Sequence, residues 1–408
     1  MTDKVRLEDL AVFGGSTAFA EALHVGRPNI GDRGRLLARI DEILDHKRLT
    51  NNGPYLQELE QRISDMLGVE HCIAVCNATV ALEISAKAAG LGGEVIVPSF
   101  TFVATAHALR WQGITPVFCD IDPQTHNIDP TQVERLITPR TTGIVGVHLW
   151  GRPCDATALK QIARRHDLNL LFDAAHAFGC SHEGNMIGNY GDAEVFSFHA
   201  TKFVNAFEGG AIVTNDPVLA EKARLMRNFG FAGYDTVLDV GTNGKMSEVS
   251  AAMGLTSLES LNDFVAINYR NYKRYELNLA KAPGVRLVPY PDTEKCNYQY
   301  IVLEMDETVS RISRDQLLRI LWAENVLARR YFYPGCHRME PYRSSPDYRR
   351  VSLPNTDYLS DRVLSLPTGM DVGDGEIDKI CDIVSLCVAR GGEVKELLEH
   401  LAAREPAG

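Results

Sequence analysis

The feature that most constrains the fold is a regular alternation of apolar, strand-like runs with helical patterns over residues 72–214. Helical patterns at 77–89, 101–112 and 155–166 separate several of these runs. Such alternation predicts an α/β fold with a mainly parallel sheet between helices, whose ligands collect at the carboxyl ends of the strands. The predicted strands cover 72–75, 94–98, 116–120, 144–148, 169–172, the run that leads to Ser197, and 210–214.

The pattern changes after about residue 247, where long helices replace the alternation and continue to about 279. Further along, Ser313 opens a helix in which Gln316 completes a capping box, and another helical pattern covers 374–388. Short strands between these helices indicate a smaller α+β unit. They are predicted at 285–288, 298–303 and 326–331.

These changes divide the chain into three parts. We expect an N-terminal arm over 1–30, a large domain over 31–281 and a small C-terminal α+β domain over 282–408. A length of 408 residues is sufficient for two or three domains with a large core.

Composition excludes several classes of protein. The net charge of -11 argues against a nucleic-acid-binding surface. No apolar run approaches the thickness of a bilayer, and no export signal follows Met1, so we expect a cytoplasmic protein without a membrane anchor. The nine cysteines form no CxxC pair and no zinc spacing, which favours reduced thiols and no metal site.

Residues 76–80 follow the first strand and open a helix, as a phosphate-binding turn does. The amides of Ala78 and Thr79 and the Thr79 hydroxyl could donate to a phosphate, and Ser197 offers a second hydroxyl. Taken alone, the junction is more often an ordinary helix start, in which Asn77 is only the cap.

Lys202 and Asp173 point to a more specific chemistry. Lys202 comes just after the strand that contains Ser197, and Asp173 ends the strand over 169–172. A lysine amine forms a Schiff base with the aldehyde of pyridoxal phosphate (PLP), and a carboxylate holds the pyridine nitrogen protonated. The function therefore depends on whether these two side chains share one pocket.

Several motifs add a family resemblance that covers nearly the whole chain, from 50–54 to 366–367 and the following helix. They are PSFTFVAT at 98–105, DAAHA at 173–177, SFHATK at 197–202, EGGA at 208–211, and Tyr333-Pro334 with His337. Together they resemble the fold-type I, PLP-dependent aminotransferases of the DegT/DnrJ/StrS family, which act on nucleotide-linked keto-sugars. The retained lysine distinguishes the chain from the branch that dehydrates sugars.

The resemblance implies PLP as the cofactor and assigns most of its contacts. Lys202 is similar to the Schiff-base lysine and Asp173 to the carboxylate at the pyridine nitrogen. The phosphate contacts correspond to Ala78, Thr79 and Ser197.

Three further residues carry implied roles. Phe102 matches the aromatic side chain that stacks on the pyridine ring, and His176 stands where the family often has Gln at the ring hydroxyl. Asn243 resembles an asparagine that reaches the phosphate from the partner subunit. A homodimer with shared active sites is therefore implied.

The substrate site is less clearly defined by the sequence. Four residues follow a small-domain strand and could contact the sugar or the diphosphate, for which arginine is the natural partner. Equally, arginines in such a position pair with surface carboxylates. The four residues are Arg329, Tyr331, Tyr333 and His337.

The resemblance also implies a reaction. Glutamate is the expected amino donor, and residues 203–208 and 228–234 look most like enzymes that aminate C4 of a 4-keto-6-deoxy sugar. dTDP-4-keto-6-deoxyglucose is then the expected acceptor, in the biosynthesis of amino-deoxysugars for natural products such as antibiotics. Lys202 would move the proton while Asp173 keeps the ring nitrogen protonated, and two half-reactions in one site predict ping-pong kinetics.

Three alternatives remain open at this point. The acceptor could be a C3-keto sugar or a cyclitol ketone. The chain could instead be a PLP-binding regulator without turnover, although no DNA-binding helix pair or basic patch is evident. An α/β binding protein without PLP would leave the joint presence of the phosphate turn, Asp173 and Lys202 to chance.

Overall fold

The computed structural model describes residues 4–403, so that residues 1–3 of the predicted arm and 404–408 of the predicted small domain lie outside the described residues. The strands are β1 (Leu23–His24), β2 (His71–Val75), β3 (Glu94–Pro98), β4 (Thr115–Cys119), β5 (Thr141–Val147), β6 (Asn169–Asp173), β7 (Ser181–His182), β8 (Asn185–Met186), β9 (Ala193–Ser197), β10 (Gly210–Thr214), β11 (Val285–Leu287), β12 (Ile301–Met305), β13 (Val326–Leu327) and β14 (Val363–Leu366).

The helices alternate with these strands in the first half of the chain and become longer after residue 247. They are α1 (Arg33–His46), α2 (Pro54–Leu67), α3 (Ala78–Ala88), α4 (Ala104–Trp111), α5 (Pro130–Arg135), α6 (Ala156–His166), α7 (Pro217–Arg227), α8 (Glu248–Glu259), α9 (Leu261–Leu279), α10 (Glu307–Ser310), α11 (Arg314–Ala323), α12 (Pro354–Ser360), α13 (Asp374–Ala389) and α14 (Gly391–Ala402).

All seven predicted runs form one sheet in the order β2-β10-β9-β6-β5-β3-β4. Its neighbours pair in parallel except for β10, which is antiparallel to both β2 and β9. Successive residues of β2 alternate between two hydrophobic clusters, with Cys72 and Ala74 in one and Ile73 and Val75 in the other. Because side chains alternate across a strand, helices cover both faces of the sheet.

The topology brings four chain segments to one edge of the sheet. The parallel strands β6 and β9 end there at Asp173 and Ser197. Because β10 runs in the opposite direction, its first residue, Gly210, lies at the same edge and pairs with both Val75 and Ser197. The predicted ligand edge is therefore where β2, β6 and β9 end and β10 begins.

A second, smaller antiparallel sheet has the order β11-β12-β14. The capping box predicted at Ser313 and Gln316 is present at the start of α11. Of the strand predicted over 326–331, only Val326–Leu327 form β13. Arg329 still pairs with Ser365 in an isolated bridge, and the chain then turns, so that the Tyr333 amide donates to the Arg330 carbonyl. Strand β14 and helix α7 were not predicted.

The N-terminal segment packs against C-terminal elements. Its apolar residues, such as Leu10 and Phe19, share one hydrophobic cluster with α9, α11 and α13. The buried Glu324 carboxylate also accepts hydrogen bonds from the amides of Ala11 and Ala18, each at 2.7 Å. The division of the chain at residues 30 and 281 stays a prediction, since this cluster draws on residues from both sides of it.

Three further observations hold for residues 4–403. No helix there is long and apolar enough to cross a membrane. No group of three or more His, Cys, Asp or Glu side chains is arranged to hold a metal ion. The nine cysteines all lie in this part of the chain, and each is a free thiol.

Candidate active site

A cavity of about 480 Å³ opens at the edge where Asp173, Ser197 and Gly210 meet. Eight of the residues predicted from the sequence form part of its wall, together with Tyr300, Phe332, His199 and Glu208. Lys202 and Asp173 therefore share one pocket, as the cofactor hypothesis requires. The eight predicted residues are Ala78, Thr79, Phe102, Asp173, His176, Ser197, Lys202 and Tyr331.

Lys202 is held close to the aromatic wall of this cavity. Its Nζ atom donates a hydrogen bond of 3.2 Å to the hydroxyl of Tyr300. Burial lowers the pKa of the Lys202 amine to about 8, and the nearby Asp173 carboxylate opposes that shift. A lysine with a lowered pKa is a better nucleophile at neutral pH, because more of it is unprotonated.

Asp173 is buried at the end of β6 and is fixed by two donors. Oδ2 accepts a 2.7 Å hydrogen bond from the Thr105 hydroxyl, and Oδ1 accepts a 3.1 Å bond from the Ala175 amide. Burial raises the pKa of the carboxyl group, although both donors and the Lys202 cation act in the opposite sense. The carboxylate is thus positioned by its neighbours and suited to pairing with a cationic group in the cavity.

The turn after β2 has the features of a phosphate site. The Asn77 side chain accepts a 2.9 Å hydrogen bond from the Val80 amide. The amides of Ala78 and Thr79, in the first turn of α3, have no intrahelical acceptor. Gly210 runs beside this turn so closely that a Cβ atom there would lie 2.7 Å from the Ala78 nitrogen. The free amides of Ala78 and Thr79, together with the lack of a Cβ atom at Gly210, make this turn suited to binding an anion.

His176 is buried, and its tautomer follows from its partner. The Trp150 amide donates to His176 Nδ1 at 3.1 Å, so the ring proton belongs on Nε2. Burial, aided by the Lys202 cation, holds the pKa of His176 well below its usual range. The Phe332 ring stacks on the imidazole with an interplanar angle of 7°. His176 is therefore a neutral imidazole whose free nitrogen is a donor.

The other predicted residues lie outside this cavity. Asn243 is exposed and pairs with Asn228 in an isolated bridge. Arg329 and Tyr333 line a second cavity of about 370 Å³, which shares a wall with the first. The shared wall consists of Phe102, Tyr331 and Phe332.

His337 is placed differently from the prediction, because it lines neither cavity. Its Nδ1 atom lies 2.7 Å from the Ser99 hydroxyl, and its Nε2 atom lies 3.1 Å from a carboxylate oxygen of Asp357. Burial lowers the pKa of this imidazole. Its position makes it a contact between two loops behind the cavity wall rather than a substrate ligand.

Sequence reasoning missed Tyr300 and Thr105, the two hydroxyl residues that bond to Lys202 and Asp173. Tyr300 lies just before β12, and no local pattern distinguishes it from the tyrosines beside it. Thr105 lies within the motif at 98–105, but only the packing of α4 against β6 shows which side chain it meets.

The comparisons with known proteins agree with this geometry. The chain matches the DegT/DnrJ/EryC1/StrS aminotransferase family over residues 32–385. It is 37% identical over 362 residues to the dTDP-4-amino-4,6-dideoxy-D-glucose transaminase of Shigella dysenteriae, covering 89% of this chain and 98% of that protein. The protein with the same description from Escherichia coli is 35% identical over 367 residues, covering 89% of this chain and 98% of its own length.

A solved structure extends the likeness to the fold. DesI, crystallised in the presence of its TDP-sugar product, superimposes with a TM-score of 0.93 and 52% identity, covering 96% of this chain and all of that one. The predicted fold-type I architecture, the family and the transaminase activity are confirmed. By its match to the family model and its likeness to these relatives, the chain belongs to the DegT/DnrJ/EryC1/StrS aminotransferase family.

Proposed function

We propose that this protein uses PLP to transfer an amino group from glutamate to C4 of a nucleotide-linked 4-keto-6-deoxy sugar, with dTDP-4-keto-6-deoxyglucose as the acceptor. The observation that carries the proposal is that Lys202, Asp173 and the free amides of α3 face one cavity. The names of the Shigella and Escherichia coli relatives, and the TDP-sugar product of DesI, support the choice of acceptor.

The residues of the cavity fit PLP. The amides of Ala78 and Thr79 and the hydroxyl of Ser197 would hold its phosphate. Phe102, more than half of whose surface is exposed, is available to stack on the ring. The His176 Nε2 proton would be donated to the ring hydroxyl. When bound, PLP supplies an aldehyde that takes up amines and a ring that accepts electrons.

The protein itself supplies attachment, proton transfer and charge. Lys202 would carry the cofactor and then move a proton with its freed amine, for which a lowered pKa is favourable. Tyr300 holds this amine through its hydroxyl group. Asp173, fixed by Thr105, would lie opposite the pyridine nitrogen of PLP, and its carboxylate would keep that nitrogen protonated. These three side chains need little rearrangement because each already has a partner.

The proposal includes a homodimer with shared active sites. Several large apolar side chains between residues 229 and 240 are exposed, Tyr234 completely so. Asn243, three residues beyond Val240, is exposed as well. A second subunit that covered these apolar side chains would remove them from water, and it would bring Asn243 to the phosphate of its partner.

An absorbance experiment tests the proposal. Purified protein loaded with PLP is scanned before and after glutamate, and then after dTDP-4-keto-6-deoxyglucose. We expect glutamate to remove the visible band and the keto-sugar to restore it. A response to glutamate alone would reject this acceptor and favour a C3-keto sugar or a cyclitol. Stable binding of PLP without a response to glutamate would favour the regulator, and failure to bind PLP would overturn the assignment of Lys202.

A further inference from the structure

The loop that carries Lys202 is held against the N-terminal segment of the chain. This lysine loop (198–209) connects β9 to β10. Gly26, whose φ is +75°, approaches the loop so closely that a Cβ atom there would lie 3.0 Å from the Cβ atom of Thr201. Because loops are less constrained than strands, the position of Lys202 depends on contacts of this kind.

Asn29 and Asn205 exchange hydrogen bonds between the two segments. The side-chain nitrogen of Asn29 donates to the Phe203 carbonyl at 3.2 Å, and the side-chain nitrogen of Asn205 donates to the Asn29 carbonyl at 2.8 Å. Both asparagines are buried. Phe203 directly follows Lys202, so Asn29 contacts the backbone next to the residue that bears the amine.

The side chain of Asn29 also reaches the part of the chain that follows β14. Its Oδ1 atom accepts a 3.4 Å hydrogen bond from the amide of Met370. Asn271 of α9 donates two hydrogen bonds of 3.1 Å each to carbonyl groups of the same segment (369–372). Asn29 therefore links the lysine loop to a segment that is itself anchored.

Tyr300, the hydrogen-bond partner of the Lys202 amine, extends from the same part of the structure. It lies just before β12, and β12 pairs with β14, the strand that precedes segment 369–372. Asn29 therefore connects the lysine loop to the sheet beside which Tyr300 lies. The 3.2 Å contact between Lys202 Nζ and the Tyr300 hydroxyl spans the two connected parts.

We infer that Asn29 is a positioning residue, which holds the lysine loop so that the Lys202 amine stays buried beside Tyr300. The inference rests on the proposed function, in which this amine binds PLP. Burial lowers the pKa of the amine to about 8, so a loop that moves outward would return the amine to water and raise that pKa. A higher pKa leaves less of the neutral amine that attacks an aldehyde.

Competitive labelling measures the Lys202 amine directly. Full-length protein without PLP is treated with a trace of acetic anhydride at a series of pH values, and the acetylated fraction of Lys202 is read by peptide mass spectrometry. In the wild type, labelling should reach half of its plateau near the pKa of about 8. In Asn29→Ala this midpoint should rise by about one pH unit, so that labelling at neutral pH falls about tenfold.

Asn271→Ala is the matched control. Asn271 is also buried and bonds to the same segment, but among residues 4–403 none of its hydrogen bonds reaches the lysine loop. This variant should lose thermal stability, as Asn29→Ala does, and keep the wild-type midpoint. Asn205→Ala removes the reciprocal hydrogen bond and should raise the midpoint as well, so it decides the question if Asn29→Ala fails to fold.

The loaded enzyme gives an independent measurement. In Asn29→Ala the rate of the glutamate half-reaction should fall about tenfold, because the Lys202 amine that moves the proton is misplaced. The concentration of glutamate that gives half of the maximal rate should change little, since Asn29 does not line the cavity. In Asn271→Ala both values should stay close to those of the wild type.

Two results would overturn the inference. One is an unchanged labelling midpoint in both Asn29→Ala and Asn205→Ala. The other is an equal shift in Asn271→Ala, which would mean that any loosening of the fold exposes Lys202. A wild-type enzyme that binds PLP but does not react with glutamate would instead reject the proposed function, and the labelling midpoints would still decide the role of Asn29.

Discussion

The two adjoining cavities are built in different ways. The first lies at strand ends, and its polar groups are fixed by buried hydrogen bonds, as those from Thr105 and Ala175 fix Asp173. The second is built from the end of α11 and the turn at 330–333, and its arginines lie over the partly buried ring of Tyr331 and the exposed ring of Tyr333. The first cavity therefore holds buried, positioned polar groups of the kind that catalysis requires, whereas the second offers side chains that are more accessible to solvent.

Of the changes that test this comparison, Lys202→Ala should have the largest effect. Among residues 4–403, no lysine other than Lys202 lines the first cavity, so turnover should fall by at least about a thousandfold. Formation of the amino sugar is measured against Lys160→Ala, which alters a lysine on α6 away from both cavities. Turnover within tenfold of the wild type would show that the buried lysine is not the catalytic amine.

Asp173→Asn should have the next largest effect. The amide keeps the size of the side chain but cannot keep a ring nitrogen protonated, so kcat should fall roughly 10²- to 10⁴-fold. The KM for the keto-sugar should change little, because the residue lies in the first cavity only. A change confined to KM would contradict a catalytic role for Asp173.

Gly210→Ala tests the phosphate turn. The added Cβ atom would lie 2.7 Å from the Ala78 nitrogen and 2.8 Å from the Asn77 carbonyl carbon, so backbone must shift. PLP binding, followed by titration of cofactor-free protein, should weaken by roughly tenfold or more. Gly92→Ala is the control, since no atom lies within 4 Å of a Cβ atom there. Equal affinities for PLP in the two variants would show that the turn after β2 does not bind the phosphate.

The pH dependence of cofactor attachment tests the burial of Lys202. Only the neutral amine attacks an aldehyde, so the rate should rise about tenfold per pH unit below the pKa of about 8 and level off above it. Because the Asp173 carboxylate raises this pKa, Asp173→Asn should move the plateau to lower pH. A rate that still climbs above pH 10 would mean that Lys202 behaves as an exposed lysine.

Tyr300→Phe should have the smallest effect in the first cavity. It removes the hydroxyl that accepts the 3.2 Å bond from Lys202 and leaves the ring in place. The loss of one hydrogen bond of about 1 kcal/mol predicts a decrease in kcat of three- to tenfold. Tyr298→Phe serves as the control, because its ring packs against Tyr269 and Tyr290 instead. No difference between the two variants would limit Tyr300 to a packing role.

Much of the first cavity could be predicted from the sequence, because its residues stand at strand ends and helix starts. Asp173 ends β6, Ala78 begins α3 and Lys202 lies in the loop after β9, and parallel strands bring such positions together at one edge. The direction of β10 could not be predicted, since a fully buried strand reads the same in either orientation. Its antiparallel pairing is what brings Gly210 to the phosphate turn.

The second cavity was only partly predictable, because most of its residues lie outside regular helices and strands. The strand predicted to 331 ends at Leu327, and the turn after Arg330 then directs Tyr331 to the shared wall. His337 was assigned from its motif, yet its ring fills a buried position beside Ser99. Trp322, which also lines this cavity, gave no signal at all, since a tryptophan on an amphipathic helix is ordinarily a packing residue.

The position of β10 also has a consequence for how the chain folds during its synthesis. It is the last of the seven strands to be synthesised, yet it lies between β9 and the first of them, β2. During synthesis, β2 therefore has no strand to pair with in this sheet until β10, which ends at Thr214, has been added. Such distant pairings form slowly, and open strand edges favour aggregation meanwhile. The seven-stranded sheet can thus be completed only once just over half of the 408 residues have been synthesised.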